Sequence, residues 1–291
     1  MDKIQLRTFS LSKTGREGTS QDAYACSADG CRYAVADGVS RSYHPEFTAR
    51  ALCSAFIADN CTAAQWVDKF DSEVLPGISE AWNAATLAFE QEMQKTPSMA
   101  RYIAAWRQSL PMGSSTFAGI TIDPARHSLD YCILGDTTLF VIPDGDAPFR
   151  AYCSQTHLAD DMITYDNHPD CVSNDAQYCE GTPKLLRYGA WELGSLQLQP
   201  GYVALLTDGA AKWLQAALTA GSSAADALWA LETHEHFEAF AQSIRTEGEM
   251  DDDLTILLFK VPRPAPTEPE KPDQYAALFN VAWIYPFYID E

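Results

Sequence analysis

Short apolar runs and longer amphipathic segments divide the chain. Residues 2–10, 23–28, 31–36, 115–122, 129–134, 137–142, 184–192, 202–207 and 254–260 carry alternating or continuous apolar patterns of strand length. Residues 45–59, 76–95, 98–109, 209–219, 223–231 and 234–246 place apolar side chains three to four apart in Ala-, Leu- and Glu-rich sequence, which predicts helices. The strands cluster instead of alternating one-for-one with helices, so an α+β fold is predicted over a doubly wound parallel sheet. No internal repeat is visible. The stretch 157–183 is polar, carries Asp160, Asp161, Asp166, Asp170 and Asp175, and reads as a long surface excursion. Five prolines in 262–272 mark an extended linker. The division is therefore 1–261 as the main domain, 262–272 as linker and 273–291 as a tail. Six aromatics in that tail (Tyr275, Phe279, Trp283, Tyr285, Phe287 and Tyr288) predict that it docks, on its own domain or on a partner.

Aspartates recur at strand ends. Tyr33-Ala34-Val35-Ala36 runs into Asp37-Gly38, Tyr131-Cys132-Ile133-Leu134 into Gly135-Asp136, and Tyr202 to Thr207 into Asp208-Gly209. Asp251-Asp252-Asp253 opens the run Leu254 to Phe259. One Asp-Gly after a strand is an ordinary turn, but three such sites and a triple Asp meet at one rim when neighbours are antiparallel. Asp29-Gly30 predicts a type I′ hairpin turn. A two-residue loop pairs Ala28 with Cys31 and, further along, sets Asp22 opposite Asp37. Like charges opposed in this way destabilise a ladder, and a cation between them removes the conflict. A rim of hard carboxylate oxygens selects Mg²⁺ or Mn²⁺ over zinc or copper. Two such ions can activate water against a phosphoryl group, so the chemistry points to a metal-dependent phosphohydrolase or a structural calcium site. EF-hand spacing is absent.

Charge narrows the partners. With 40 acidic and 20 basic residues the formal charge is −20. That argues against nucleic acid, whose binding needs clustered Lys and Arg, and against anionic membranes. No apolar run approaches a membrane span. Met1 to Thr14 is polar, with no signal-peptide core, so a cytoplasmic location is expected. Eight cysteines without a CxxC pair fit free, mostly buried thiols.

Six motifs in order then stand out. They are Gln21-Asp22-Ala23, Val35-Ala36-Asp37-Gly38, Gly113-Ser114-Ser115-Thr116, Gly135-Asp136-Thr137, Leu206-Thr207-Asp208-Gly209 and Asp252-Asp253-Leu254-Thr255. The series resembles the metal-dependent serine/threonine protein phosphatases of type 2C (the PPM family), nearest to its bacterial branch, over roughly residues 10–260. The resemblance implies an αββα sandwich, two central antiparallel sheets flanked by helices, with a dinuclear Mn²⁺/Mg²⁺ site at one end. It implies hydrolysis of phosphoserine and phosphothreonine in proteins by a metal-activated water. By motif, Asp37 would bridge the metals, Gly38 would offer its carbonyl, and Asp208 and Asp252 would complete the second metal. Asp22 would hold metal-bound water, and Asp136 would serve a third, weaker ion. Ser114, Ser115 and Thr116 would start a core strand. Phosphorylated proteins and a Ser/Thr kinase are the implied partners.

There are departures. Gln21 replaces an acidic residue, Asp253 replaces an Asn, and Val39 replaces the His that some members carry after Asp-Gly. His44 is a nearby alternative as general acid or a plain helix-start residue. The phosphate-gripping Arg has no clean match; Arg16 is the first candidate and Arg41 the second. These departures motivate an alternative, a non-catalytic module that binds through the tail or the 157–183 loop. His234 and His236, two apart on a helix, read as a solvated face and not a metal pair. Trp66, Trp82, Trp106, Trp191, Trp213 and Trp229 are expected to pack the core.

Overall fold

The structure is a computed structural model that describes residues 4–15, 19–109, 113–154, 163, 165, 169–173, 185–248 and 252–263. Among these the strands are β1 (Gln5–Leu11), β2 (Ala23–Cys26), β3 (Arg32–Ala36), β4 (Phe117–Asp123), β5 (Ser128–Leu134), β6 (Thr138–Pro143), β7 (Arg150–Tyr152), β8 (Val172–Ser173), β9 (Leu186–Arg187), β10 (Glu192–Gln197), β11 (Gly201–Leu206) and β12 (Leu254–Val261). The helices are α1 (Pro45–Ala58), α2 (Ala63–Asp68), α3 (Leu75–Met93), α4 (Pro97–Ser109), α5 (Asp208–Thr219), α6 (Ala224–Trp229) and α7 (His234–Gly248), with a π-helical turn at Phe70–Val74.

The strands form two five-stranded antiparallel sheets, ordered β1-β12-β11-β6-β7 and β10-β5-β4-β3-β2, and a small β8-β9 pair. The α+β expectation holds, and the two sheets pack face to face. Tyr33, Val35, Ile120, Ile133, Val203, Leu205, Leu257 and Phe259 fill the space between them. The opposite faces are covered by helices. Ala34, Ala36 and Phe117 meet Phe56, Trp66, Phe70 and Trp82 from the α1–α3 layer. Ala204, Leu206 and Ile256 meet Ala210, Ala211, Leu214 and Phe237 from the α5–α7 layer. Strands buried on both faces explain why residues 33–36, 202–206 and 256–259 read as unbroken apolar runs.

The β2–β3 register is the one the sequence predicts, Ala23 pairing with Ala36 and Cys26 with Tyr33. The turn is wider than predicted. Ser27 N donates to Arg32 O at 2.8 Å and Gly30 N to Ser27 O at 3.0 Å. Of the two turn residues Gly30 alone has a positive φ, 67°, so the turn is not type I′. Residues 184–192 also differ from expectation. They hold the two-residue β9, and the sheet strand β10 begins only at Glu192. The short α2 escapes periodicity, although Thr62 and Gln65 cap it reciprocally.

The 157–183 stretch is not simply a surface excursion. Ile163, Val172 and Ser173 are buried, and Gln215 in α5 holds both backbone groups of Ile163, at 3.1 and 3.0 Å. Of the seven described cysteines only Cys53, Cys132 and Cys153 are buried. Trp66 and Trp82 are core residues, whereas Trp191, Trp213 and Trp229 are only partly buried. His234 and His236 are exposed, as read from their spacing. Arg263 Nε meets Asp144 Oδ2 at 2.9 Å where the chain leaves β12. Arg16, Asp251, Cys179, the Trp106 side chain, most of 157–183, residues 264–272 of the linker and the whole aromatic tail lie outside the described residues.

Candidate metal centre

Three strand ends and one strand start deliver the carboxylates to one rim of the sandwich. β3 ends at Ala36 and releases Asp37, and β5 ends at Leu134 ahead of Gly135 and Asp136. β11 runs directly into α5, whose first residue is Asp208, and Asp252 precedes β12. A cavity of about 120 Å³ opens between them. Asp37, Asp136, Asp208 and Asp252 line it together with Gly38 and Thr116. Val39, Ser40, Arg41 and Pro169 complete the wall. Asp22 stands behind this wall on the rung next to the Ala23–Ala36 pair, and its charge acts on Asp37 more strongly than any other.

Neighbouring hydroxyls and amides hold these residues. The Asp37 carbonyl accepts from Ser115 Oγ at 2.8 Å and from Thr116 N at 2.9 Å. A side chain at Gly38 would put its Cβ 2.6 Å from the Gln21 carbonyl oxygen and 2.8 Å from Pro45 Cβ, so this close approach requires glycine. Thr207 Oγ1 does not cap α5. It donates to Asp22 Oδ2 at 2.9 Å and accepts from Thr255 N at 3.1 Å, tying β11, β12 and Asp22 together. Asp253 is not part of the cavity lining. It accepts from Lys13 N and Gln21 N, both at 2.6 Å, and so clasps the segment leading to Asp22.

The electrostatics are those of crowded acids. Burial, then the charges of Asp22, Asp208, Asp136 and Asp252, push the Asp37 carboxyl well above the usual carboxylate range. Burial and Asp253 push Asp22 up to about 8. Burial and Asp208 push Asp252 up to about 6. Asp22 Oδ1 is buried without a hydrogen-bond partner. Unpaired anionic oxygen and mutually repelling carboxylates are what a divalent cation would relieve. The donor set is all oxygen, which suits Mg²⁺ or Mn²⁺. As placed, no group of three or more His, Cys, Asp or Glu among the described residues is drawn close enough to hold an ion. The carboxylates surround the cavity without closing on one point.

Arg41 is exposed and lies on the wall. His44 does not line the cavity. Its ring packs against Tyr43, Phe47 and Phe89, and Nδ1 lies 3.0 Å from Glu46 Oε1. The general-acid alternative is therefore dropped, and His44 is the left-handed residue that opens α1. Ser114 is buried and pairs with Ser173 Oγ at 2.6 Å.

Lys212 was not singled out from sequence. Its Nζ is 2.5 Å from Asp208 Oδ2, one helical turn away, and the i, i+4 spacing was the available signal. Burial works against this ammonium, but Asp208, Asp252 and Asp136 outweigh it and raise its pKa. Cys26 and Arg32 have the Cys-x5-Arg spacing of another phosphatase chemistry. Here the spacing spans the β2–β3 hairpin. Arg32 turns into the core, donating to the Phe56 and Cys61 carbonyls, and burial raises the Cys26 thiol pKa. A phosphate-cradling loop is not formed.

Comparison with known proteins agrees with this reading of the fold. The family model described as protein phosphatase 2C matches residues 12–258. No curated protein sequence matches. Among solved structures, the serine/threonine phosphatase Stp1 from Staphylococcus aureus is 14% identical, with a TM-score of 0.51 over 90% of this chain and 96% of that one. The S. agalactiae serine/threonine phosphatase is 13% identical, with a TM-score of 0.50 over 89% and 100%. At these identities the likeness is one of fold.

Proposed function

Because the chain belongs to the protein phosphatase 2C family of serine/threonine phosphatases, we propose that it hydrolyses phosphoserine and phosphothreonine in proteins at the carboxylate-lined cavity, with two Mn²⁺ or Mg²⁺ ions. The observation that carries this reading is the convergence of Asp37, Asp136, Asp208 and Asp252 on one cavity, with Asp22 behind it. Asp37 is central, since the other four carboxylates all act on it. It would bridge the ions, beside the Gly38 carbonyl, with Asp208 and Asp252 completing the set and Asp22 holding water behind them. Bound there, the ions would lower the pKa of a water and withdraw charge from the phosphoryl oxygens. Arg41 at the mouth would pair with the phosphoryl dianion, for which a guanidinium fork is suited. The Thr116 hydroxyl lies 2.5 Å from that of Thr137, and this contact ties the Asp37 wall to the segment after Asp136.

The implied substrates are phosphorylated proteins, and the reaction that supplies them is that of a Ser/Thr kinase. Among the described residues no helix is long and apolar enough to cross a membrane; a cytoplasmic location remains part of the proposal. The −20 charge disfavours acidic phosphopeptides unless basic residues flank the phosphate. The non-catalytic alternative rests on the 157–183 loop, of which Pro169 lines the cavity, and on the tail, which lies outside the described residues. Purified protein with Mn²⁺ and a phosphothreonine peptide should release phosphate. Asp37→Asn should lower kcat/KM by at least about 100-fold, beyond what loss of a group supporting a metal ligand costs. Equal release by the two proteins would refute the assignment.

A further inference from the structure

Along α5, Asp208, Lys212 and Gln215 occupy one face, at successive turns. Gln215 fixes Ile163 through two hydrogen bonds, and this brings Tyr165 over Lys212, with Nζ 5.7 Å from the ring centroid. Tyr165 is itself set by Thr138, the two hydroxyls 3.2 Å apart. The ammonium thus has the Asp208 carboxylate on one side and an aromatic face on the other, a cation–π arrangement. Asp136 and Asp252 are within electrostatic reach. Asp136 lines the same cavity as Asp208, and the sequence resemblance implies a third ion at Asp136.

We propose that the Lys212 ammonium is a built-in cation of the site, standing beside Asp208, which shares the cavity wall with Asp136, so that the protein takes up two ions and excludes a third. The proposal deepens the phosphatase reading and rests on its two-ion site. Charge balance supports it. Two divalent cations and one ammonium neutralise Asp22, Asp37, Asp136, Asp208 and Asp252, while backbone N–H groups already hold Asp253. A third divalent ion would add positive charge beside the ammonium, and like charges repel. Geometry supports it as well, since Lys212 occupies Oδ2 of Asp208 and leaves the other oxygen for an ion.

The experiment is calorimetric titration of the full chain with Mn²⁺, checked by metal analysis after gel filtration. Wild type should take up about two ions per chain, the number a dinuclear phosphoryl-transfer site requires. Lys212→Met should gain a further, weaker binding event, and Lys212→Arg should return to the wild-type count. Circular dichroism verifies that each variant folds, and Lys212→Gln replaces the Met variant if that one does not. Three ions in wild type, or the same count in wild type and the neutral variant, would overturn the Lys212 assignment and leave the phosphatase reading standing. No Mn²⁺ uptake by wild type would overturn the metal site, and this proposal with it.

Discussion

The chain leaves a strand through Asp-Gly twice at the rim, and the two exits are built differently. At Asp208-Gly209, β11 passes straight into α5, so strand and helix together fix the carboxylate, and Lys212 supplies a counter-charge one turn later. At Asp37-Gly38, eight residues separate β3 from α1. There the carboxylate is held by its own backbone, through Ser115 and Thr116, and is surrounded by acids. One exit carries its own cation, and the other, under the proposed function, would take its counter-charge from bound ions. The rim is therefore expected to respond unevenly to loss of metal, with the Asp22–Asp37 side strained first.

The largest effect that tests this contrast is pH acting on the metal-free protein. Asp22 and Asp252 titrate at about 8 and about 6 when folded, above the ordinary carboxylate value that unfolding restores. Between the unfolded and folded values the native state binds more protons, so stability falls as pH rises. Thermal melts in EDTA should therefore drop by several degrees from about pH 4 to pH 8. Saturating Mn²⁺ should flatten that slope, and a melt that rises over the same window in EDTA would contradict the picture. Next comes Gly38→Ala. A Cβ at 2.6 Å from a backbone oxygen cannot be absorbed without shifting the chain. A loss of about 1–3 kcal/mol is expected from such overpacking, readable in urea unfolding together with lost activity. Ser115→Ala removes the hydroxyl bonded to the Asp37 carbonyl and should cost about 1 kcal/mol, checked by the same unfolding curves. Smallest is Gly209→Ala. The nearest atom to its Cβ would be the Asp253 oxygen at 3.0 Å, and the gain in helix propensity offsets that squeeze, leaving a change within about 0.5 kcal/mol. If Gly209→Ala proved the more damaging of the two glycine changes, the comparison would be wrong.

Local patterns carried much of this into the sequence. The Asp22–Asp37 register follows from counting back along the hairpin, because a strand pair keeps its sum even when the turn has a different shape. Asp37, Asp136, Asp208 and Asp252 were legible because an acid at the end of an apolar run is conspicuous, and they do share one cavity. What the sequence hid depends on long-range packing. Val172 is a two-residue strand partner of Ser115, too short for any period, so 157–183 read as solvent-facing. The Thr207 hydroxyl looks like a helix cap and instead joins Asp22, 185 residues away. His44 looked available as an acid until its aromatic neighbours were placed. Lys212 is the instructive case, since its spacing from Asp208 was visible while its importance arises only when Tyr165 and Asp136 arrive from elsewhere.

β1 lies against β12, with Gln5 opposite Lys260 and Leu11 opposite Leu254. The polypeptide thus enters and leaves the sandwich side by side, at the rim away from Asp252. A cargo fused at either point would hang clear of the cavity mouth. Joining the two points by a short peptide and reopening the backbone at the Asp29-Gly30 turn would give a circular permutant in which every pairing of both sheets is kept.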